Sequence, residues 1–96
     1  MQANRKTILF RQVNDTIEEL LHRFGAEDDA SFFCECPAAA CARRLALTPA
    51  QYEAIRRGGG FVVAHECAER GEVVEARDSY VVVSCFRPRV TALAVA

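Results

Sequence analysis

Ninety-six residues, 51% of them hydrophobic and 26% charged, with a formal net charge of −1, describe one small domain over residues 1–96 with room for a single core. This composition excludes a disordered chain, and the near-neutral charge speaks against a dedicated nucleic-acid binder, which carries a clear basic excess. No run approaches the ~20 apolar residues of a membrane span, and the start MQANRKTILFRQVND has three consecutive apolar residues before Arg11, too few for a signal peptide. The expected compartment is a reducing cytoplasm.

In chain order, residues 7–24 carry Phe10, Val13, Ile17, Leu20, Leu21 and Phe24 at steps of three and four, which predicts an amphipathic helix with one apolar stripe. Gly25 is its expected stop. AEDDAS is a polar loop. SFFCEC reads as a short strand with Cys34 and Cys36 on one face. PAAA leads by a loop to Cys41, and RRLALT predicts a second strand with Leu45 and Leu47 on the same side. TPAQ is a helix start, with Thr48 as N-cap, Pro49 at the first helical position and Gln51 closing a capping box. The short helix ends in RRGGG.

FVVAHEC predicts a strand with Phe61, Val63, His65 and Cys67 on one face. AERG turns the chain, and EVVEA and YVVVSCF form a hairpin across RDS; EVVEA is also compatible with a helical turn. Residues 88–96 read as a loosely held tail in which VTALAV could add an edge strand. The expected fold is α+β: a small, mostly antiparallel sheet packed by one long N-terminal helix and one short helix.

Five cysteines cannot all pair within one chain, and in a reducing compartment clustered thiols point to a metal. Cys34 and Cys36 offer two sulfurs from one strand face, and Cys41 returns a third from the loop. Zn2+ takes four tetrahedral nitrogen and sulfur ligands, so a fourth must come from elsewhere. His65 is the expected one, with Cys67 as the alternative. Four protein ligands leave no open position, which makes the site structural. Cys85 reads as a buried strand residue.

Enzyme motifs are missing. HEC and CECP match neither half of the zinc-deaminase pattern, and HExxH is absent. The triple glycine lacks the GK[ST] of a phosphate loop, and Asp28-Asp29 lacks calcium-loop spacing. His22 falls on the polar side of the long helix.

The segments FRQVNDTIEEL, FFCECPAAACARRLALTPAQYEAIR, FVVAHE and VVEARDSYVVV together resemble a family of short uncharacterised proteins of actinomycete-type bacteria. The resemblance spans roughly residues 9–83 and is most specific at CxCx4C and LTxxxYExxR. It implies a ligand set of Cys34, Cys36, Cys41 and His65. The chain departs from the family pattern at Ala64, at Gln51 and in the shorter loop at GGG, and it adds Cys67 and Cys85. No activity comes with the resemblance.

The expectation is therefore a non-enzymatic, zinc-stabilised interaction or regulatory module whose partner is another protein. A thiol- or zinc-based redox or metal sensor is the first alternative. Nucleic-acid binding through Arg43-Arg44, Arg56-Arg57, Arg87 and Arg89 is the second.

Overall fold

The structure is a computed structural model that describes residues 4–87; the tail and its candidate edge strand, 88–96, lie outside the described residues. Helix α1 (Arg5–Arg23) begins two residues ahead of expectation, because the Asn4 side chain caps it by accepting from the Thr7 amide at 2.9 Å. Gly25 ends it in the left-handed region, at φ +72°. Strands β1 (Ala30–Phe33) and β2 (Arg44–Leu47) pair antiparallel, with Ala30 opposite Leu47 and Phe33 opposite Arg44.

Helix α2 (Pro49–Arg57) starts at the capping box expected of TPAQ: Thr48 accepts from the Gln51 amide and the Gln51 side chain accepts from the Thr48 amide. Strands β3 (Phe61–Val63), β4 (Gly71–Ala76) and β5 (Val81–Phe86) form a second antiparallel sheet in the order β3-β5-β4. EVVEA is thus a strand of the expected hairpin. The architecture is α+β, with its antiparallel strands divided between two small sheets.

Three local expectations change. The strand drawn through SFFCEC stops at Phe33, so Cys34 and Cys36 belong to the loop that follows β1, although the Cys34 amide still donates to the Arg43 carbonyl at 2.9 Å. The strand drawn through FVVAHEC stops at Val63, and His65–Cys67 forms a single 3-10 turn closed by the Cys67 amide on the Ala64 carbonyl. The helix is also rolled relative to its expected stripe: Thr7 and Asn14 are fully buried, whereas Val13, Leu20 and Phe24 are exposed. Asn14 faces inward because it answers backbone groups there, its Nδ2 donating to the Phe33 carbonyl at 2.8 Å and its Oδ1 accepting from the Phe33 amide at 2.8 Å.

The core joins both sheets. Phe32, Leu45 and Leu47 of the first sheet pack with Tyr52 of α2, the Phe32 and Tyr52 rings stacked at 4.7 Å. Val62, Val63, Val81, Val82 and Val83 fill the second sheet. Gly71 is the close-approach point of the hairpin: a Cβ there would lie 2.5 Å from Val83 Cγ1. Among the described residues the outer edge of β3 meets no further strand. Glu35 takes that place, its amide donating to the Val62 carbonyl at 2.8 Å and its carboxylate accepting from the Val62 amide at 2.9 Å.

Candidate metal centre

Three segments deliver four sulfurs to one point. The loop after β1 contributes Cys34 and Cys36, the turn through Pro37–Ala40 returns Cys41, and the 3-10 turn after β3 contributes Cys67. The four Sγ atoms lie within 4.8 Å of one another, and Cys41 and Cys67 are 3.8 Å apart. Tetrahedral thiolate ligation with metal–sulfur bonds of about 2.3 Å places sulfurs about 3.8 Å apart. The donor set therefore fits a thiophilic cation, and the site could hold a metal ion. Among the described residues this is the one His, Cys, Asp and Glu grouping with such geometry.

The fourth member of the group is Cys67, the alternative, rather than the expected His65. His65 is absent from the group: its ring is exposed, and Nε2 lies 2.6 Å from the Arg77 carbonyl across the β4–β5 turn. On a flat strand His65 and Cys67 would share a face. In a 3-10 turn of about three residues per turn, residues two apart point to different sides, so the turn that carries Cys67 to the sulfurs carries His65 away. Cys34, Cys36 and Cys41 lie together as expected. Cys85 lies elsewhere on β5, beside Ser84.

Hydrogen bonds prepare the sulfurs to carry charge. The Ala64 amide donates to Cys34 Sγ at 3.2 Å, and Lys6 Nζ lies 3.6 Å from Cys36 Sγ. Before any metal binds, burial pushes the Cys34 thiol up to about 11, against the pull of the Ala64 and Cys36 amides. Burial also raises Cys67, helped by the charge of neighbouring Cys34 and Cys36. At Cys41 burial acts in the same direction, but the Arg43 amide and donation from Cys36, Cys67 and Cys34 outweigh it and lower the thiol. Of the three, Cys41 is thus the thiol whose surroundings favour the thiolate, through donation from the Arg43 amide and the other sulfurs. A bound cation would take the remaining protons' place, which couples affinity to pH.

Next to the sulfurs lies a polar network that sequence reasoning missed. Glu35 stands between Cys34 and Cys36 and is fully buried. Its carboxylate accepts from Tyr52 at 2.7 Å, from Asn14 at 2.9 Å and from the Val62 amide at 2.9 Å. Burial raises its pKa, opposed by those three donors and by the charge of Arg11. Tyr52 is raised as well, by burial and by the Glu35 charge. Further out, Arg56 holds Asp15 by two bonds of 2.7 and 2.8 Å. The available signal was an acid inside the otherwise apolar run FFCECP. Buried charge without partners is costly, so that placement required donors from α1, α2 and β3.

No helix among the described residues is long and apolar enough to cross a membrane. Comparison of the chain with protein-family models, with curated proteins and with solved structures finds no match.

Proposed function

We propose that the protein is a non-enzymatic, zinc-stabilised interaction module whose metal is held by Cys34, Cys36, Cys41 and Cys67. The observation that carries this reading is the mutual approach of four sulfurs, all within 4.8 Å, at the spacing of a closed tetrahedral set. Four protein thiolates leave no vacant position for water or substrate, so the metal supplies folding free energy rather than catalysis, on the order of 10 kcal/mol. It ties the loop after β1 to the turn after β3, two segments that otherwise meet through the Ala64 amide on Cys34 Sγ and the exposed Arg43–Glu66 pair. Ile8, Leu9, Leu20 and Phe24 on the outer side of α1 are exposed and support a protein partner.

The test is metal analysis of protein purified without added metal. One zinc per chain is expected, retained by His65→Ala and lost by Cys67→Ser. Full retention after Cys34 and Cys41 are both changed to serine would sink the assignment.

One observation favours a second reading, a thiol-based zinc sensor. Cys34 and Cys36 are buried, but Cys41 and Cys67 are partly exposed and their sulfurs lie 3.8 Å apart. Hydrogen peroxide would take two electrons from this pair and, with two protons, be reduced to two waters, leaving one Cys41–Cys67 disulfide and releasing the metal. Zinc retained for hours under stoichiometric peroxide counts against that reading. Nucleic-acid binding draws less support. Arg43, Arg56, Arg57 and Arg87 each face an acid of their own chain, and Arg44 lies over the Phe33 ring at 4.8 Å. Binding of DNA or RNA at low ionic strength would restore it.

A further inference from the structure

Four thiolates on a divalent cation leave a centre with a net double negative charge, and Cys36 contributes its share while only 1% exposed. Buried charge of this kind needs a partner. Among the described residues one side-chain cation stands at hydrogen-bond distance from a cluster sulfur. Lys6, in the first turn of α1, places Nζ 3.6 Å from Cys36 Sγ and 2.9 Å from the Cys36 carbonyl. A lysine head normally extends into water. This one is also held over the Phe10 ring at 4.6 Å, and Phe10 in turn packs edge-on against Phe33 at 5.4 Å. The residue before the helix takes part too, as Asn4 Nδ2 donates to the Pro37 carbonyl at 2.7 Å. Ammonium, ring and metal-loop backbone thus form one fixed arrangement.

We propose that Lys6 is a positioning residue of the metal centre, donating to the Cys36 thiolate and offsetting part of the negative charge that a bound cation leaves uncompensated. The inference rests on the four-thiolate reading. It goes beyond that reading by making α1 part of the metal site: the helix that presents the exposed apolar residues also sets how firmly the metal is held. Outer partners of metal ligands typically govern affinity by 10- to 100-fold, and an ammonium is a compact charge suited to a single sulfur.

The experiment compares wild type, Lys6→Met, Lys6→Gln and Lys6→Arg, each loaded with zinc and separately with cobalt(II). Competition with a chromogenic chelator reads affinity, and the thiolate-to-cobalt charge-transfer band reads electron density at the sulfurs. Lys6→Met is expected to weaken affinity about 10- to 100-fold and to shift the band, with Lys6→Arg recovering most of both. Lys6→Gln, which keeps a donor for the Cys36 carbonyl, carries the same expectation at smaller size should the methionine variant fail to fold. Wild-type affinity and an unmoved band in these variants overturn the role of Lys6 and leave the site standing. An equal loss in Lys6→Arg without a band shift also overturns it, because packing alone would then account for the loss. A wild-type chain that binds neither metal overturns the four-thiolate reading and this inference with it.

Discussion

The two ends of the core are held together in different ways. Around β3 and β5 the contacts are redundant: Val62, Val63, Val81, Val82 and Val83 are all nearly or fully buried, and each carries a modest share of a graded apolar total. Around the loop after β1 they are individual. Cys34, Glu35 and Cys36 fill the interior with sulfur and charge, and the buried polar atoms there depend on a few named partners. The sheet should tolerate small losses and report them proportionally. The loop should fail group by group.

The sharpest way to break this comparison is metal removal. A zinc chelator, or Cys67→Ser, should abolish cooperative unfolding or lower stability by an amount comparable to the whole stability of a domain this size, several kcal/mol. Thermal melting followed by circular dichroism checks it. A melting curve unchanged by the chelator would mean that the loop is held by its hydrogen bonds alone.

Next in size is Glu35→Gln. The amide keeps the shape but turns a donor toward Tyr52, Asn14 or the Val62 amide, leaving one of them unmatched. A loss of about 3 kcal/mol is expected in urea titration of the metal-loaded protein. A loss below 1 kcal/mol would place the strength of this end in the sulfurs alone.

On the other side, Gly71→Ala drives a methyl against Val83 and should cost about 1–3 kcal/mol by overpacking. Val83→Ala in the same chain makes room, so the double variant is expected to be less unstable than the sum of the two singles. Additive losses would show that the close approach is relieved elsewhere in the hairpin.

The smallest effect belongs to the outer ion pair. Asp15 is held below the usual aspartate range chiefly by its hydrogen bonds from Arg56. Both side chains are about a third or more exposed, so solvent screening limits the cost of Asp15→Asn to about 1 kcal/mol. A carboxylate with a depressed native pKa contributes stability above its unfolded value and loses it as the pH falls through the native one. The difference between wild type and Asp15→Asn should therefore be constant above about pH 5 and close at lower pH. Acid loss of the metal is common to both chains and cancels in the difference.

What could be read from the sequence follows the same division. Periodicity and turn chemistry located both helices, the capping box at Thr48, the stop at Gly25 and the terminal hairpin, because these depend on neighbours in the chain. Cys34, Cys36 and Cys41 were legible from their density. The choice between His65 and Cys67 was not, since it turns on where β3 ends, and nothing local marks the change from strand to 3-10 turn after Val63. The roll of α1 was hidden for a related reason. Apolar spacing favoured Val13 and Leu20 as core residues, whereas the interior that α1 meets displays the backbone of Phe33 and the carboxylate of Glu35, and Asn14 satisfies both.

Glu35 doing the work of a strand along β3 has a further consequence. Phe61–Val63 is short, wholly apolar and β-branched at two of its three positions, and its outer Val62 amide and carbonyl are covered by a segment that lies between two cysteines. On the proposed reading, loss of the metal would free that segment and uncover an apolar edge, and such edges recruit strands from other molecules. The demetallated chain should therefore be lost to aggregation rather than refold quietly, so light scattering after chelation should rise with protein concentration.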